Sequence, residues 1–158
     1  MSSSGPDPVP PAEASEERPR AGCRDRVRLP RSVIDDLVAH ARDEAPNECC
    51  GLLVGHPGTV TRAIRARNLR ASPTRYLVHP QDHFDAIRAA RTEGLTVVGT
   101  YHSHPTSPAE PSDRDLAEAT YPEYVYVIVT IAPHAGAPIG AFALETNGFR
   151  VIEIETTA

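Results

Sequence analysis

Apolar and polar residues follow two rhythms along this chain. Val33, Ile34, Leu37, Val38 and Ala41 recur at intervals of three and four, which predicts an amphipathic helix over 30–45. Pro30 suits its first turn and Pro46 stops it. A short apolar run, Gly51 to Gly55, then reads as a buried strand, and His56-Pro57-Gly58 as a turn. Thr59 to Asn68 alternates like a strand, and Arg75 to Val78 predicts another. Pro80 opens a second helix, with Phe84, Ile87 and Ala90 on its buried face and Gly94 as its stop. Leu95 to Tyr101 is apolar and β-branched, so it reads as a central strand running into His102. Pro105 to Pro111 holds three prolines and reads as a loop, and Ser112 to Thr120 as a short helix. Tyr124 to Ile131, Ile139 to Thr146 and Phe149 to Glu155 predict strands, the last two joined by a tight turn at Asn147-Gly148. The sum is an α/β or α+β domain with a mixed sheet and helices packed on it.

Composition narrows the class. The chain has 158 residues, of which 40% are hydrophobic and 23% charged, as expected for one domain with a sizeable core. A formal charge of -5 argues against nucleic acid as the main partner. The arginines between Arg62 and Arg75 read as a solvated surface. Residues 1–25 are rich in proline, serine and charge and poor in apolar side chains, so they read as a disordered tail ahead of a domain at 26–158. Neither a signal peptide nor a membrane helix is evident, and three cysteines without a spaced framework suggest a reducing compartment. The expectation is a cytoplasmic protein with no membrane partner.

The chemistry concentrates in Tyr101-His102-Ser103-His104-Pro105, followed by Ser112-Asp113-Arg114-Asp115. Residues two apart on a strand point the same way, so His102 and His104 present two imidazoles to one side. Imidazole is a good zinc ligand, and a catalytic zinc wants three protein ligands and one open position. Asp115 is the candidate third ligand, brought back by the loop from Pro105 to Pro111. Ser112-x-x-Asp115 is equally a plain helix-capping signal, and the two roles are compatible. His79 and His83, four apart, read as exposed, because Pro80 stands where a helical zinc motif has glutamate. His40, His56 and His134 read as isolated surface residues. Cys49 and Cys50 read as small buried residues rather than nucleophiles.

Glu48, His102-Ser103-His104-Pro105 and Ser112-x-x-Asp115 together resemble the signature of the JAMM, or MPN-plus, metallopeptidases. The stretch Pro46-Asn47-Glu48-Cys49-Cys50-Gly51-Leu52-Leu53-Val54-Gly55 resembles the segment that carries that family's glutamate. The likeness runs from about residue 27 to the C-terminus and is strongest to the compact prokaryotic branch, including the CysO-cysteine peptidase type. It implies a cytidine-deaminase-like fold with a curved mixed sheet flanked by helices. It implies Zn2+ held by His102, His104 and Asp115, Glu48 as general base, and Ser112 as hydrogen-bond donor to the substrate carbonyl. It further implies a metallopeptidase or isopeptidase acting after the C-terminal Gly-Gly of a ubiquitin-like or sulfur-carrier protein and releasing cysteine or a related adduct. The alternatives are removal of ubiquitin-like tags in general and a non-catalytic scaffold of the same fold. A closed structural zinc site would need a fourth ligand, for which His134 and Cys50 are the candidates.

Overall fold

The computed structural model describes residues 25–158. The tail expected at 1–25 falls outside the described residues except for Asp25. The elements run β1 (Arg26–Pro30), α1 (Arg31–Glu44), β2 (Cys50–His56), β3 (Thr59–Ala66), α2 (Pro80–Thr92), β4 (Thr96–His104), α3 (Asp113–Glu118), β5 (Val125–Thr130), β6 (Ile139–Glu145) and β7 (Gly148–Thr157).

The strands close into a barrel in the order β1-β3-β2-β4-β5-β6-β7. β4 pairs antiparallel with β2 and parallel with β5, so it lies in the middle of the sheet with a partner on each side. Closure comes from β1, which pairs parallel with β7 over five positions and touches β3 at Arg28↔Thr59. β1 was not foreseen. Its alternation of exposed Arg26 and Arg28 with buried Val27 and Leu29 spans only five residues and ends in proline, and its main partner lies at the far end of the chain.

α1 buries Val33, Ile34, Leu37 and Ala41 against the main core, which also takes in Leu29, Leu53, Tyr101, Val127 and Val129. Leu37 is fully buried, so truncating it to alanine would cost about 2–5 kcal/mol. His40, expected at the surface, is buried on the same face, and its Nδ1 lies 2.7 Å from the Tyr101 hydroxyl. Gly51 makes that contact possible: a side chain there would collide with the Tyr101 ring and with the Ile64 carbonyl.

α2 faces the sheet through Ala86 and Ala90, which pack with Leu52, Val54 and Val97. Phe84 and Ile87, expected to be buried, are 54% and 36% exposed. Two alanines let the helix sit close to the strands, and the bulkier residues turn outward. Ile87 lies three residues from Ala90, but the buried stripe is centred on the 86/90 row rather than on the 84/87 row.

Arg75–Val78 forms no strand and contributes only an isolated bridge, Asn68↔Val78. The Asn68 side chain adds to the two backbone bonds there, accepting from Leu77 N–H and donating to the Arg75 carbonyl. The last hairpin turns through Thr146-Asn147, one residue earlier than expected, and Gly148 begins β7 with φ +136°. Of the arginines of β3 and the following segment, Arg62 pairs with Glu93, Arg65 with Asp43 and Arg67 with Asp82, as suits a solvated surface. Among the described residues no helix is long and apolar enough to cross a membrane.

Candidate metal centre

β4 delivers both imidazoles. Tyr101 and Ser103 point toward the side that carries the main core, and His102 and His104 point the other way, as the two-residue period of a strand requires. The parallel neighbour β5 sets His102 opposite Ile128 and His104 opposite Thr130. The Thr130 hydroxyl lies 3.1 Å from the His104 carbonyl and 2.6 Å from that of Ser107, which folds the following loop back over the strand end. Both histidines are buried, at 2% and 5% exposure.

α3 brings the carboxylate. Ser112 is its N-cap: the Ser112 hydroxyl accepts from Asp115 N–H at 3.1 Å, and Asp115 Oδ2 accepts from Ser112 N–H at 2.9 Å. This capping box is the one anticipated from Ser112-x-x-Asp115. It turns Asp115 inward, where Oδ2 lies 3.2 Å from His102 Nε2 and 3.1 Å from His104 Nε2, and the two Nε2 atoms are 3.2 Å apart.

Three potential ligand atoms thus form a nearly equilateral triangle. Ligands on a tetrahedral zinc at 2.0–2.1 Å stand about 3.3–3.4 Å from one another. The donor set also fits a cation chemically. His104 Nδ1 lies 2.8 Å from the Pro108 carbonyl, which can only accept, so Nδ1 carries the proton. In neutral His104 the Nε2 lone pair therefore faces the Asp115 carboxylate and the His102 ring. Only a proton or a metal ion between these atoms makes that arrangement attractive. His102 is fixed from its other side by Tyr76, whose ring stacks on it at 4.1 Å between centroids and 16° between planes.

Glu48 lies just before β2 and is 4% exposed. Its Oε1 is 3.9 Å from His104 Nε2, and its Oε2 is buried without any hydrogen-bond partner. Glu48, His102 and His104 themselves offer ligand atoms within 4.8 Å of one another. The structure therefore brings together four of the five residues singled out from sequence, and the fifth, Ser112, adjoins them through the cap.

The electrostatics follow from burial and contact. Burial raises the Glu48 carboxyl to about 7, with His104 opposing and Asp115 reinforcing the rise. Burial would also raise Asp115, but the contacts from His102 and His104 overcome it and hold that carboxyl far below the usual range. Burial lowers His102. At His104 burial pulls the same way, but the Asp115 contact, the Pro108 carbonyl and Glu48 prevail and raise it. Burial pushes the Cys49 and Cys50 thiols up to about 11 and 12, so neither is a ready thiolate. Cys50 Sγ bonds to the Arg67 carbonyl, and His134 is exposed. Neither fills the place of a fourth ligand.

Sequence reasoning missed four participants. Tyr76 lay in a supposed strand, and Asn68 at the end of another. Ser103, whose hydroxyl accepts from Cys49 N–H at 2.7 Å, ties the Glu48 segment to β4. The Pro108 carbonyl orients His104. A backbone carbonyl leaves no signal in a sequence. Ser103 sits between the two histidines, and its inward direction could have been read from the strand period.

A family model described as prokaryotic homologs of the JAB domain matches residues 30–143. A probable TtuB-protein conjugate cleaving protease of Thermus thermophilus is 42% identical over 94 residues, covering 59% of this chain and 63% of the relative, so under two thirds of that protein is spanned. A desampylase of Haloferax volcanii is 37% identical, covering 65% of this chain and 79% of the relative. A CysO-cysteine peptidase of Mycobacterium bovis is also 37% identical, covering 65% and 72%. Among solved structures, protein DSY2949 of Desulfitobacterium hafniense matches with a TM-score of 0.77 at 31% identity, covering 83% of this chain and 92% of that one. A structure described as a JAMM metalloprotease-like zinc site matches with a TM-score of 0.55 at 20% identity, covering 84% and 98%, and at that identity it shows the fold alone. The names of the relatives support a hydrolase acting on amide bonds. By the span of the family match and the fold it shares, this chain belongs to the prokaryotic JAB-domain family.

Proposed function

We propose that this protein is a zinc-dependent peptidase or isopeptidase that cleaves the amide bond after the C-terminal glycine of a small ubiquitin-like or sulfur-carrier protein. The observation that carries the reading is the triangle of His102 Nε2, His104 Nε2 and Asp115 Oδ2 beside a buried carboxylate with an unpartnered oxygen. His102, His104 and Asp115 would hold the ion. Asp115 is preferred over Glu48 as third ligand because its oxygen stands 3.1–3.2 Å from both nitrogens, whereas Glu48 stands 3.9 Å from His104.

When bound, the ion supplies Lewis acidity and makes water acidic enough to yield a proton near neutral pH. Glu48 then has the work of a general base and acid. Its free oxygen can take the proton from the attacking water and return it to the leaving amine. The Ser112 hydroxyl accepts from Asp115 N–H, so its own proton remains available to a substrate carbonyl or the oxyanion that develops from it. One such donor is worth ~3–4 kcal/mol in transition-state stabilisation.

The substrate class is supported by the names of the relatives, a probable TtuB-protein conjugate cleaving protease, a desampylase and a CysO-cysteine peptidase. The test is incubation of the zinc-loaded protein with a Gly-Gly-terminated carrier joined either to a lysine side chain or to cysteine, followed by mass spectrometry. The expected result is a mass loss that disappears with chelator and in Glu48→Gln. No cleavage of either conjugate by zinc-loaded wild type would overturn the proposal.

A further inference from the structure

Asn68 follows β3 and spends its whole side-chain amide on two segments of the site. Its Oδ1 accepts from Arg70 N–H at 2.9 Å and Leu77 N–H at 3.0 Å. Its Nδ2 donates to the Glu48 carbonyl at 3.1 Å and the Arg75 carbonyl at 3.0 Å. An asparagine amide has two donor hydrogens and two acceptor lone pairs, and all four are used.

The bonds have two consequences. Those to residues 75 and 77 shape the backbone on either side of Tyr76, whose ring covers His102. The bond to Glu48 holds its carbonyl, while Glu48 N–H donates to the Ser72 carbonyl at 2.8 Å. Both backbone polar groups of Glu48 are thus gripped by the segment 68–78 rather than by a helix or a ladder. The Glu48 carboxylate has little of its own to orient it: one oxygen makes no hydrogen bond and the other stands 3.9 Å from His104. Its direction is inherited from the backbone that Asn68 and Ser72 hold.

We infer that Asn68 is a positioning residue, a clasp that aims the Glu48 carboxylate through the backbone it holds. The inference rests on the reading of Glu48 as general base. The three groups that would hold the ion stand on β4 and α3, and none is bonded to Asn68. Breaking the clasp should therefore slow proton transfer without releasing metal. A base displaced by about an ångström loses on the order of 100-fold in rate, and the loss of a supporting hydrogen bond commonly costs about 10–100-fold.

The experiment is a double-mutant cycle on the full chain loaded with zinc, using a peptide ending in Gly-Gly joined as an amide to a fluorogenic amine. Asn68→Leu keeps the heavy-atom count and the branching at Cγ, removes all four hydrogen bonds and adds no charge. We expect kcat to fall about 10–100-fold, KM to stay within about twofold, and zinc stoichiometry to be unchanged. In the Glu48→Gln background the same substitution should have no further effect on kcat, because its influence passes through the base. Should Asn68→Leu fail to fold, Asn68→Asp keeps the accepted bonds and loses the donated ones, with the same expected result. A kcat within about twofold of wild type, or an equal drop in the Glu48→Gln background, overturns the clasp while leaving the base assignment intact. Wild-type turnover in Glu48→Gln alone overturns the base, and the clasp with it.

Discussion

Two pairs of histidines sit in this molecule, and they have opposite fates. His102 and His104 stand two apart at the end of β4, are almost wholly buried, and share the Asp115 oxygen at 3.2 and 3.1 Å. His79 and His83 stand four apart at the start of α2, a spacing that is equally able to converge on a metal. They were expected to be exposed, yet both are half-buried. His79 Nδ1 caps the helix by accepting from Gln81 N–H, and His83 Nε2 lies 3.0 Å from the Tyr124 hydroxyl with its ring against Tyr121. The carboxylate nearest in sequence, Asp82, is taken up by the Arg67 guanidinium and N–H. Among the described residues neither imidazole of that pair has a carboxylate oxygen within 4.0 Å. Spacing makes a metal pair possible. What decides the matter is whether a carboxylate is left free to complete the set and whether the ring nitrogens are already satisfied locally.

Removing the carboxylate that sets the two pairs apart should have the largest effect. Asp115→Ala should lose zinc and turnover together, as metal analysis and the amide assay would show; full zinc occupancy in that variant would remove Asp115 from the ligand set. Glu48→Gln should keep the metal and lose about 10²–10⁴-fold in kcat, since the general base is gone while the three ligands remain. A smaller effect concerns a third buried histidine, His40, whose Nδ1 has a tyrosine partner and whose Nε2 has only the exposed Glu44 carboxylate at 4.0 Å. Burial first, then Arg65, lowers its pKa from 6.5 to about 4. The unfolded chain thus binds the proton first, so the contribution of His40 is complete above about pH 6.5 and is lost as pH falls toward 4. The loss should reach roughly 3 kcal/mol, seen as a pH slope in denaturant melts that flattens in His40→Gln. Parallel slopes in the two proteins would show that His40 is not the titrating group. Least affected should be His83→Ala, with unchanged zinc content and about 1 kcal/mol less stability from the lost Tyr124 contact. A fall in zinc content there would erase the contrast between the pairs.

How much of this was legible in the sequence depended on distance along the chain. Glu48 was singled out only through the resemblance to a family signature, whereas the two histidines, Ser112 and Asp115 were readable because strand period and helix capping are local rules. α1, β2, β4 and the last hairpin were readable for the same reason. β1 was not, since its five residues find their main partner in β7 at the other end of the chain. His40 was misread because Tyr101, which satisfies it, lies 61 residues away. Phe84 misled because bulk is the usual mark of a buried face, and here close approach through Ala86 and Ala90 governs. At Arg75–Val78, where a strand was predicted, the Asn68 amide takes Leu77 N–H and the Arg75 carbonyl, while the Leu77 carbonyl and His79 N–H pair with the backbone of Leu69 and Arg67, which leaves a bridge and not a ladder.

The proposed function requires that two imidazoles and one aspartate share an ion. X-ray absorption on the purified chain, with its metal content measured on the same sample, tests it most directly. About one zinc per chain is expected, with two nitrogen neighbours and further oxygen neighbours at about 2.0–2.2 Å, and no sulfur. A sulfur neighbour, or no zinc retained at neutral pH, would contradict it.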